Sequence, residues 1–333
     1  MTDDPGEDAP PEDPLTYSKA GVDIDESEAA TAALKHAIGA FDGEFAGLID
    51  VGPFKLGLAA DGVGTKLLVA EALGDYSTVG IDCIAMNAND LVAAGVEPVA
   101  FVDYLAVDAP DDSVATEIGT GLREGANLAG VELLGGETAV LPEVVTGLDL
   151  AGTCAGIAQE KELFPAQAQP GDSLVGFPSS GIHSNGLTLA REAIGRRFDY
   201  EDAFPGEKHE TVGAALLEPT RIYTDLLPAL RAVQAHACAH VTGGGWTNLS
   251  RMGAHHFEIT DAFEPQRIFQ EVQAAGQVSP VEMHTTFNMG TGFVVALPEA
   301  AAERLVGRTE DGRIIGSVDT GTGVSIRGLR LDG

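Results

Sequence analysis

The chain is poor in basic residues. Its 333 residues include 19 Lys and Arg, only six of them Lys, against 51 Asp and Glu, and the formal net charge is -32. A surface of this sign repels phosphate backbones, so we do not expect nucleic-acid binding, and any anionic substrate requires a locally basic pocket. The acidic excess is spread along the chain, which is typical of adaptation to high salt; the alternative is an ordinary soluble protein. We therefore predict a halophilic source.

Cysteines and long apolar runs are also scarce. Cys83, Cys154 and Cys238 are far apart and form no Cys-x-x-Cys pair, so neither a zinc site nor a disulfide framework is indicated. The sequence contains no run of 18 apolar residues and no basic segment followed by an apolar one at its start. We expect a cytoplasmic protein without a membrane span.

The two familiar nucleotide-binding loops are missing as well. The glycine-rich hexapeptide Asp61-Gly62-Val63-Gly64-Thr65-Lys66 does not fit a Walker loop, because its glycines are two apart and Thr precedes Lys. It does not fit the dinucleotide fingerprint, because Leu67 occupies the place of the third glycine. The hexapeptide is a different phosphate loop or merely a turn.

The length and hydrophobic content predict about two domains. We predict a disordered acidic tail over 1–14, an N-terminal ATP-binding domain over 15–165 and a C-terminal α/β domain over 166–333, with the boundary in the segment 164–172 that contains two prolines. Strands that alternate with helices, together with one hairpin, indicate an α/β fold with mixed sheets. The predicted first-half elements are a helix at 26–40, a hairpin of 46–51 with 55–60, a helix from Ser77 to 94, a strand at 99–107, a helix from 111 to 129 and a strand at 148–157.

Two glycine-rich clusters follow apolar runs and are predicted to be polar loops at strand ends. One is the hexapeptide, and the other is Gly135-Gly136-Glu137-Thr138-Ala139. Glycines permit close approach of the backbone to a phosphate, Lys66 can neutralise it, and Asp61 with Glu137 can hold Mg²⁺. The pattern indicates an enzyme that uses ATP.

Further acids lie in apolar surroundings. Asp82, Met86 and Asp90 are spaced by four and share one helix face, which is either an exposed acidic face or part of a magnesium or nucleotide site. Asp103 lies within an apolar strand, where it needs a cation or donors unless it faces water at a sheet edge. Asp103 is therefore a candidate metal ligand.

The loop at 179–186 concentrates hydroxyl, imidazole and amide groups ahead of a predicted helix. This composition suits binding of an oxyanion or phosphate, and His183 has the chemistry to move a proton near neutral pH. The alternative is an ordinary helix cap formed by Ser184 or Asn185, with His183 on the surface.

Taken in order, these motifs resemble the phosphoribosylformylglycinamidine cyclo-ligases, also called aminoimidazole ribonucleotide synthetases. The resemblance covers nearly everything after Thr16. It rests on the motifs at 17–24, 61–67, 80–82 with 89–91, 135–139, 179–186, 219–223, 242–245 and 286–290. It implies an ATP-dependent ring closure in purine biosynthesis, and two α/β domains whose N-terminal sheets pair into a barrel-like homodimer core.

The resemblance also implies roles for individual residues. The catalytic candidates are His183, Lys66, Asp61 and Glu137. The metal candidates are Asp61, Asp90, Asp103 and Glu137, binding Mg²⁺. The residues expected to contact ATP are Lys19, which lies in a flexible cover, and Gly62, Gly64, Thr65, Lys66, Asp82, Asn89 and Thr138. The residues expected to contact formylglycinamidine ribonucleotide are Ser180, His183, Ser184 and Asn185.

Two alternatives remain at this point. One is another ATP-using enzyme of the same superfamily, such as a formylglycinamidine synthetase, selenophosphate synthetase or thiamin-phosphate kinase. Selenophosphate synthetase requires an early reactive cysteine or selenocysteine, and no cysteine precedes Cys83. The other is a nucleotide-binding subunit without catalysis, which would be supported by loss of the acids that are present here.

Overall fold

The computed structural model describes residues 13–39, 45–204 and 208–331. The first part of the chain builds a five-stranded sheet and the second part a seven-stranded one. The predicted tail at 1–14 lies outside the described residues except for 13 and 14. Among the described residues, no helix is long and apolar enough to cross a membrane.

The first part contains four helices and five strands within the described residues. They are α1 (Ile24–Ile38), β1 (Gly47–Val51), β2 (Phe54–Gly62), α2 (Leu67–Leu73), α3 (Val79–Ala93), β3 (Glu97–Val107), α4 (Asp112–Ala129), β4 (Glu132–Val140) and β5 (Leu148–Ala158).

The strand order of this sheet is β1-β2-β5-β3-β4. The β1–β2 hairpin is confirmed, with Val51 opposite Phe54 across the turn. β3 and β4 are parallel and joined through α4, whereas the other pairs are antiparallel. The predicted mixed sheet is confirmed, because the α4 crossover makes one pair parallel and the hairpin makes another antiparallel.

The second part contains six helices and seven strands within the described residues. They are β6 (Ser173–Pro178), α5 (Leu187–Gly195), α6 (Val212–Leu216), α7 (Leu227–Val233), β7 (Ala237–His240), β8 (His256–Ile259), α8 (Arg267–Gly276), α9 (Pro280–Thr286), β9 (Thr291–Leu297), α10 (Glu299–Val306), β10 (Arg313–Asp319), β11 (Gly323–Ile326) and β12 (Leu329–Arg330). The strand order is β12-β11-β8-β10-β6-β9-β7. Short 3₁₀ helices occupy Gly64–Lys66, Glu160–Glu162, Thr224–Leu226 and Gly245–Met252.

Helix α3 lies between the two parts of the molecule and is buried almost throughout. It packs on the five-stranded sheet and on α4 on one side and approaches β7 on the other. The crossing with α4 is made at backbone level: a Cβ on Gly80 would collide with the backbone of Gly121 and Leu122. This close approach fixes the helix that carries Asp82, Asn89 and Asp90.

Three local predictions are wrong. Ser77 does not cap α3: the cap position is Thr78, and the Ser77 hydroxyl bonds Asp75 Oδ1 at 2.6 Å. The cluster at 135–139 is not a loop, because β4 runs through it to Val140. The hexapeptide does not start after its strand, because Asp61 and Gly62 are the last residues of β2. Pairing with β3 continues on both sides of Leu134, which the register shift between Phe101 and Val102 leaves without a partner, and Gly135 takes the positive φ of 140° there.

Candidate active site

Asp61 and Asp90 form a pair of carboxylates between β2 and α3. The pKa of Asp61 is raised to about 6, first by desolvation and then by the charge of Asp90. The Gly62 N–H donates to Asp61 Oδ1 at 2.7 Å, and Arg251 adds a weaker opposing effect. Two acids that repel each other in this way are relieved by a cation, and their hard oxygen donors suit Mg²⁺.

His240, at the end of β7, orients Asp90. His240 is fully buried, and its Nδ1 lies 2.9 Å from Asp90 Oδ1. Its Nε2 lies 3.3 Å from the Asn89 amide nitrogen, which can only donate, so Nδ1 carries the proton that goes to Asp90. Asn89 Nδ2 also reaches the carbonyl of Arg221 at 2.9 Å, and Asn89 Oδ1 accepts from the Tyr223 N–H at 2.8 Å. Asn89, predicted to contact ATP, is thus engaged in protein contacts.

Asp103 and Glu137 lie farther along the same sheet. Asp61 and Asp103 both pair with Gly152, one from each side, so two strand spacings of about 4.8 Å separate them. The two acids line one cavity of about 380 Å³ with Gly62, Tyr104 and Thr153. Glu137 pairs with Tyr104 on the edge strand β4 and is exposed, as is Thr138.

Within the described residues, no three His, Cys, Asp or Glu side chains come close enough together to hold a metal. One chain therefore presents a pair of acids and two more at a distance, and the four-carboxylate magnesium site stays a prediction. Gly136 has a role here, because the Asp103 carboxylate occupies the space that a side chain at 136 would need.

Lys66 and Asp82 form an ion pair that is shielded completely from solvent. Both side chains have 0% exposure, and Lys66 Nζ lies 2.8 Å from Asp82 Oδ2 and 2.6 Å from the carbonyl of Glu218. Asp82 also accepts from the backbone N–H of Thr220 at 2.8 Å and from its hydroxyl. The predicted contact of Lys66 and Asp82 with ATP would require this pair to open, and it stays a prediction.

The 179–186 loop is tied into the second part of the molecule. Ser179 Oγ donates to Asn288 at 2.8 Å, and Ser180 Oγ donates to the carbonyl of Pro219 at 2.6 Å. Ser184 Oγ lies 3.3 Å from the Thr220 hydroxyl that also binds Asp82. Asn185 Nδ2 lies 3.8 Å from Met86 Sδ on α3. The loop is therefore held in place by contacts within the chain.

His183 is buried in the left-handed backbone conformation, with φ 67°. The Ser180 N–H donates to its Nε2 at 3.2 Å, so the proton lies on Nδ1, which has no partner within the described residues. Burial, followed by the charges of His240, Lys66 and Arg221, holds the pKa of His183 well below its usual range. The ring is neutral and offers one free N–H. The alternative of a surface His183 is wrong.

The N-terminal segment lies against this loop. The Leu15 N–H donates to the carbonyl of Gly276 at 3.0 Å, and the Tyr17 N–H donates to Glu282 Oε1 at 2.6 Å. Burial raises the pKa of Tyr17, and a hydrogen bond to the backbone of Gly186 opposes that effect. Lys19 is exposed, and its Nζ reaches the carbonyl of Pro14 at 2.9 Å. A cover over the nucleotide that carries Lys19 stays a prediction.

The hexapeptide contacts α5 through a pair of threonine hydroxyl groups. Thr65 Oγ1 lies 2.9 Å from Thr188 Oγ1, and Gly64 takes the positive φ of 71° that begins the 3₁₀ turn. Arg191 lies three residues after Thr188, so both share a helix face. Its Nε is buried without a partner within the described residues. A guanidinium whose Nε is unpaired among the described residues is a candidate ligand for an anion in so acidic a chain.

Sequence reasoning missed His240, Arg251 and Arg191. No local motif marks His240, which acts on an acid 150 positions earlier in the chain. Arg191 was open to detection, because it lies in the helix that directly follows the 179–186 loop and is one of only 19 basic residues.

Comparison with known proteins identifies the family to which the fold belongs. Residues 43–158 match the family model "AIR synthase related protein, N-terminal domain", and residues 169–328 match the corresponding C-terminal domain. These two matches define an AIR synthase related protein, and the predicted two-domain α/β fold is confirmed.

A cyclo-ligase of Methanococcoides burtonii is 44% identical over 329 residues, covering 95% of this chain and 98% of the relative. A cyclo-ligase of Thermococcus kodakarensis is 42% identical over 340 residues, covering 95% and 100%. The chain belongs to the phosphoribosylformylglycinamidine cyclo-ligase family.

Solved structures show the same fold at lower identity. "AaThiL complexed with AMPPCP and TMP" superposes with a TM-score of 0.67 and 17% identity, covering 94% of this chain and 97% of that one. "T. maritima PurL complexed with FGAR" gives a TM-score of 0.59 and 16% identity, covering 86% of this chain and 46% of that longer one.

Proposed function

We propose that this chain closes the imidazole ring of a purine precursor at the expense of ATP. The γ-phosphoryl group is transferred to the formyl oxygen of formylglycinamidine ribonucleotide. The ribosyl-bearing nitrogen then attacks the formyl carbon and the C–O bond breaks. Aminoimidazole ribonucleotide, ADP and phosphate result, together with a proton. Because the oxygen of an amide is a poor leaving group, the phosphorylation step makes the closure possible.

One observation carries the proposal: a single face of α3 joins the two halves of the site. Asp82 binds Thr220 next to Ser184, Met86 contacts Asn185, and Asp90 faces Asp61 and His240. Eight residues of helix span about 12 Å, which suits the alignment of a triphosphate with a substrate at the 179–186 loop.

On the nucleotide side, Asp61 and Asp90 would hold Mg²⁺, which would screen the charge of the triphosphate when it is bound. The backbone at Gly62, Gly64 and Thr65 is free of long side chains and would lie near phosphate oxygens. Asp103 and Thr138 extend this surface along the sheet, whereas Glu137 shares the opposite face with Tyr104. Lys66 positions the hexapeptide through Asp82 and Glu218 rather than by meeting phosphate in the state described.

On the substrate side, Ser180, Ser184 and Asn185 line the loop, and Arg191 would neutralise the phosphate of the ribonucleotide. His183 acts as a neutral hydrogen-bond donor through Nδ1. A donor in this place would stabilise charge that develops on the formyl oxygen as the ring closes.

We also propose that two chains pair through the open face of the five-stranded sheet. Leu58, Val102 and Tyr104 are each more than 40% exposed on it, and an apolar face of this kind favours a partner. Leu58→Lys should lower the sedimentation coefficient to that of a monomer, with Leu128→Lys, at an exposed apolar residue on α4, as control; a monomeric wild type would reject the dimer.

The direct test uses purified chain with formylglycinamidine ribonucleotide, ATP and Mg²⁺ at high salt, in keeping with a cytoplasmic enzyme of a halophile. Equal amounts of aminoimidazole ribonucleotide and ADP are expected. Formation of ADP without the aminoimidazole, or binding of ATP without turnover, would reject the proposal.

A further inference from the structure

A second cavity lies at the junction of the two parts of the molecule, and none of the predicted site residues lines it. This junction cavity has a volume of about 550 Å³. Its walls come from the segment after β5, the end of α7 and the start of α10: residues 161–165, Arg231, 233–236, Pro298, Ala300, Ala301 and Arg304.

The charge of the junction cavity is opposite to that of the chain. Lys161, Arg231 and Arg304 line it, three of only 19 Lys and Arg, and Glu162 is the one acidic lining residue within the described part of the chain. In a protein of net charge -32, a local reversal of sign attracts anions to one place.

Two of these cations have no acidic partner in the part of the chain that the structure describes. Arg231 is committed to Glu97 at 3.2 Å and to the carbonyl of Gly95 at 2.9 Å. By contrast, neither Lys161 nor Arg304 forms an ion pair with any described residue; Arg304 Nη1 reaches only the carbonyl of Ala300, at 2.9 Å. The cavity therefore offers one ammonium and one guanidinium to a ligand.

The floor of the junction cavity is apolar. Phe164, Val233 and Ala301 are buried residues that line it. A ligand with an anionic group at one end and a ring at the other matches this division, and the volume is within the range of small-molecule sites.

We propose that the junction cavity binds a phosphate-bearing small molecule of nucleotide size, with its phosphate at Lys161 and Arg304 and its ring against Phe164 and Val233. Phosphate suits this arrangement because both cations are exposed and both can donate hydrogen bonds to tetrahedral oxygens. The site is independent of the proposed reaction.

Calorimetric titration of the full chain with AMP tests this site. We compare wild type with Lys161→Gln/Arg304→Gln and with the control Lys35→Gln/Arg308→Gln, which removes the same charge from exposed positions outside the cavity. We expect affinity to fall at least 10-fold in the first variant and less than 2-fold in the control. Inorganic phosphate should bind in competition with AMP and at least 10-fold more weakly.

Three outcomes would overturn the proposal. They are absence of AMP binding to wild type, equal AMP affinity in both double variants, and phosphate binding as tight as AMP binding. Cyclisation kinetics of Lys161→Gln/Arg304→Gln, measured without AMP, should match wild type, so failure here leaves the proposed reaction untouched.

Discussion

The 179–186 loop and the acids of the five-stranded sheet differ in how far one chain assembles them. In the loop, Ser179, Ser180 and Ser184 are each held by another residue of the chain. In the sheet, Asp61 and Asp90 are close, but Asp103 lies two strands from Asp61, Glu137 is exposed on the edge strand, and no three acids converge within the described residues. One chain therefore holds the 179–186 loop in place by its own contacts, whereas it leaves the acids of the sheet apart.

The largest expected effect concerns the acids of the five-stranded sheet. Asp90→Asn should lower kcat about 10²–10³-fold because it removes one of the two charges that would hold the cation and the partner of His240. Steady-state kinetics with Mg²⁺ in excess, and circular dichroism for the fold, are the measurements. Asp319→Asn, at an exposed position of β10, is the matched control. Turnover within 3-fold of wild type would refute the metal assignment.

The next effect is on stability. It distinguishes the two candidate roles of Lys66, a buried ion pair with Asp82 and a contact with the phosphate of ATP. Lys66→Met leaves Asp82 charged and buried, which should cost about 3–5 kcal/mol of unfolding free energy. Denaturant unfolding measures it, and adding Asp82→Asn should recover part of the loss. Lys208→Met, which breaks the ion pair to Glu218 at an exposed lysine, should change stability by less than about 1 kcal/mol. A stable Lys66→Met with only a raised KM for ATP would instead place Lys66 at the phosphate.

A third experiment addresses His183. Because its pKa is held well below the usual range, the ring is neutral throughout the pH range 6–8. His183→Asn should lower kcat about 10-fold, in line with loss of a donor, and leave the shape of the kcat–pH profile unchanged. Disappearance of an acidic limb in the variant would show that His183 acts as a base.

The smallest effect is thermodynamic and concerns Asp61. Its pKa is raised from 3.8 to about 6 in the folded chain, so the folded state binds the proton more tightly than the unfolded state. Stability is therefore favoured below pH 3.8 and declines as pH rises to about 6. In metal-free buffer, Asp61→Asn should remove this decline and raise the Tm at pH 8 slightly. A lower Tm for the variant at pH 8 would contradict the repulsion between Asp61 and Asp90.

Particular residues show what the sequence could and could not reveal. The helix face with Asp82 and Asp90 was recognised, because a spacing of four is a local property. That Asp82 pairs with Lys66 and that Asp90 pairs with His240 depends on contacts across 16 and 150 positions, which periodicity does not encode. The segment 135–139 was predicted as a loop because glycines disfavour strands, yet pairing with β3 overrides that preference. The sequence does not decide between a surface position and a site position for His183, since burial of a loop depends on what packs over it.

The glycine crossing of α3 over α4 has a consequence for evolution of the enzyme. In the proposed reaction, two turns of α3 would set the distance between phosphoryl donor and acceptor, and the backbone contact of Gly80 with Gly121 leaves this helix no room to slide. A methyl group added at either glycine would collide with the backbone atoms opposite it and so shift the helix that carries Asp82 and Asp90. Selection on catalysis should therefore act most strictly on two residues without any functional group.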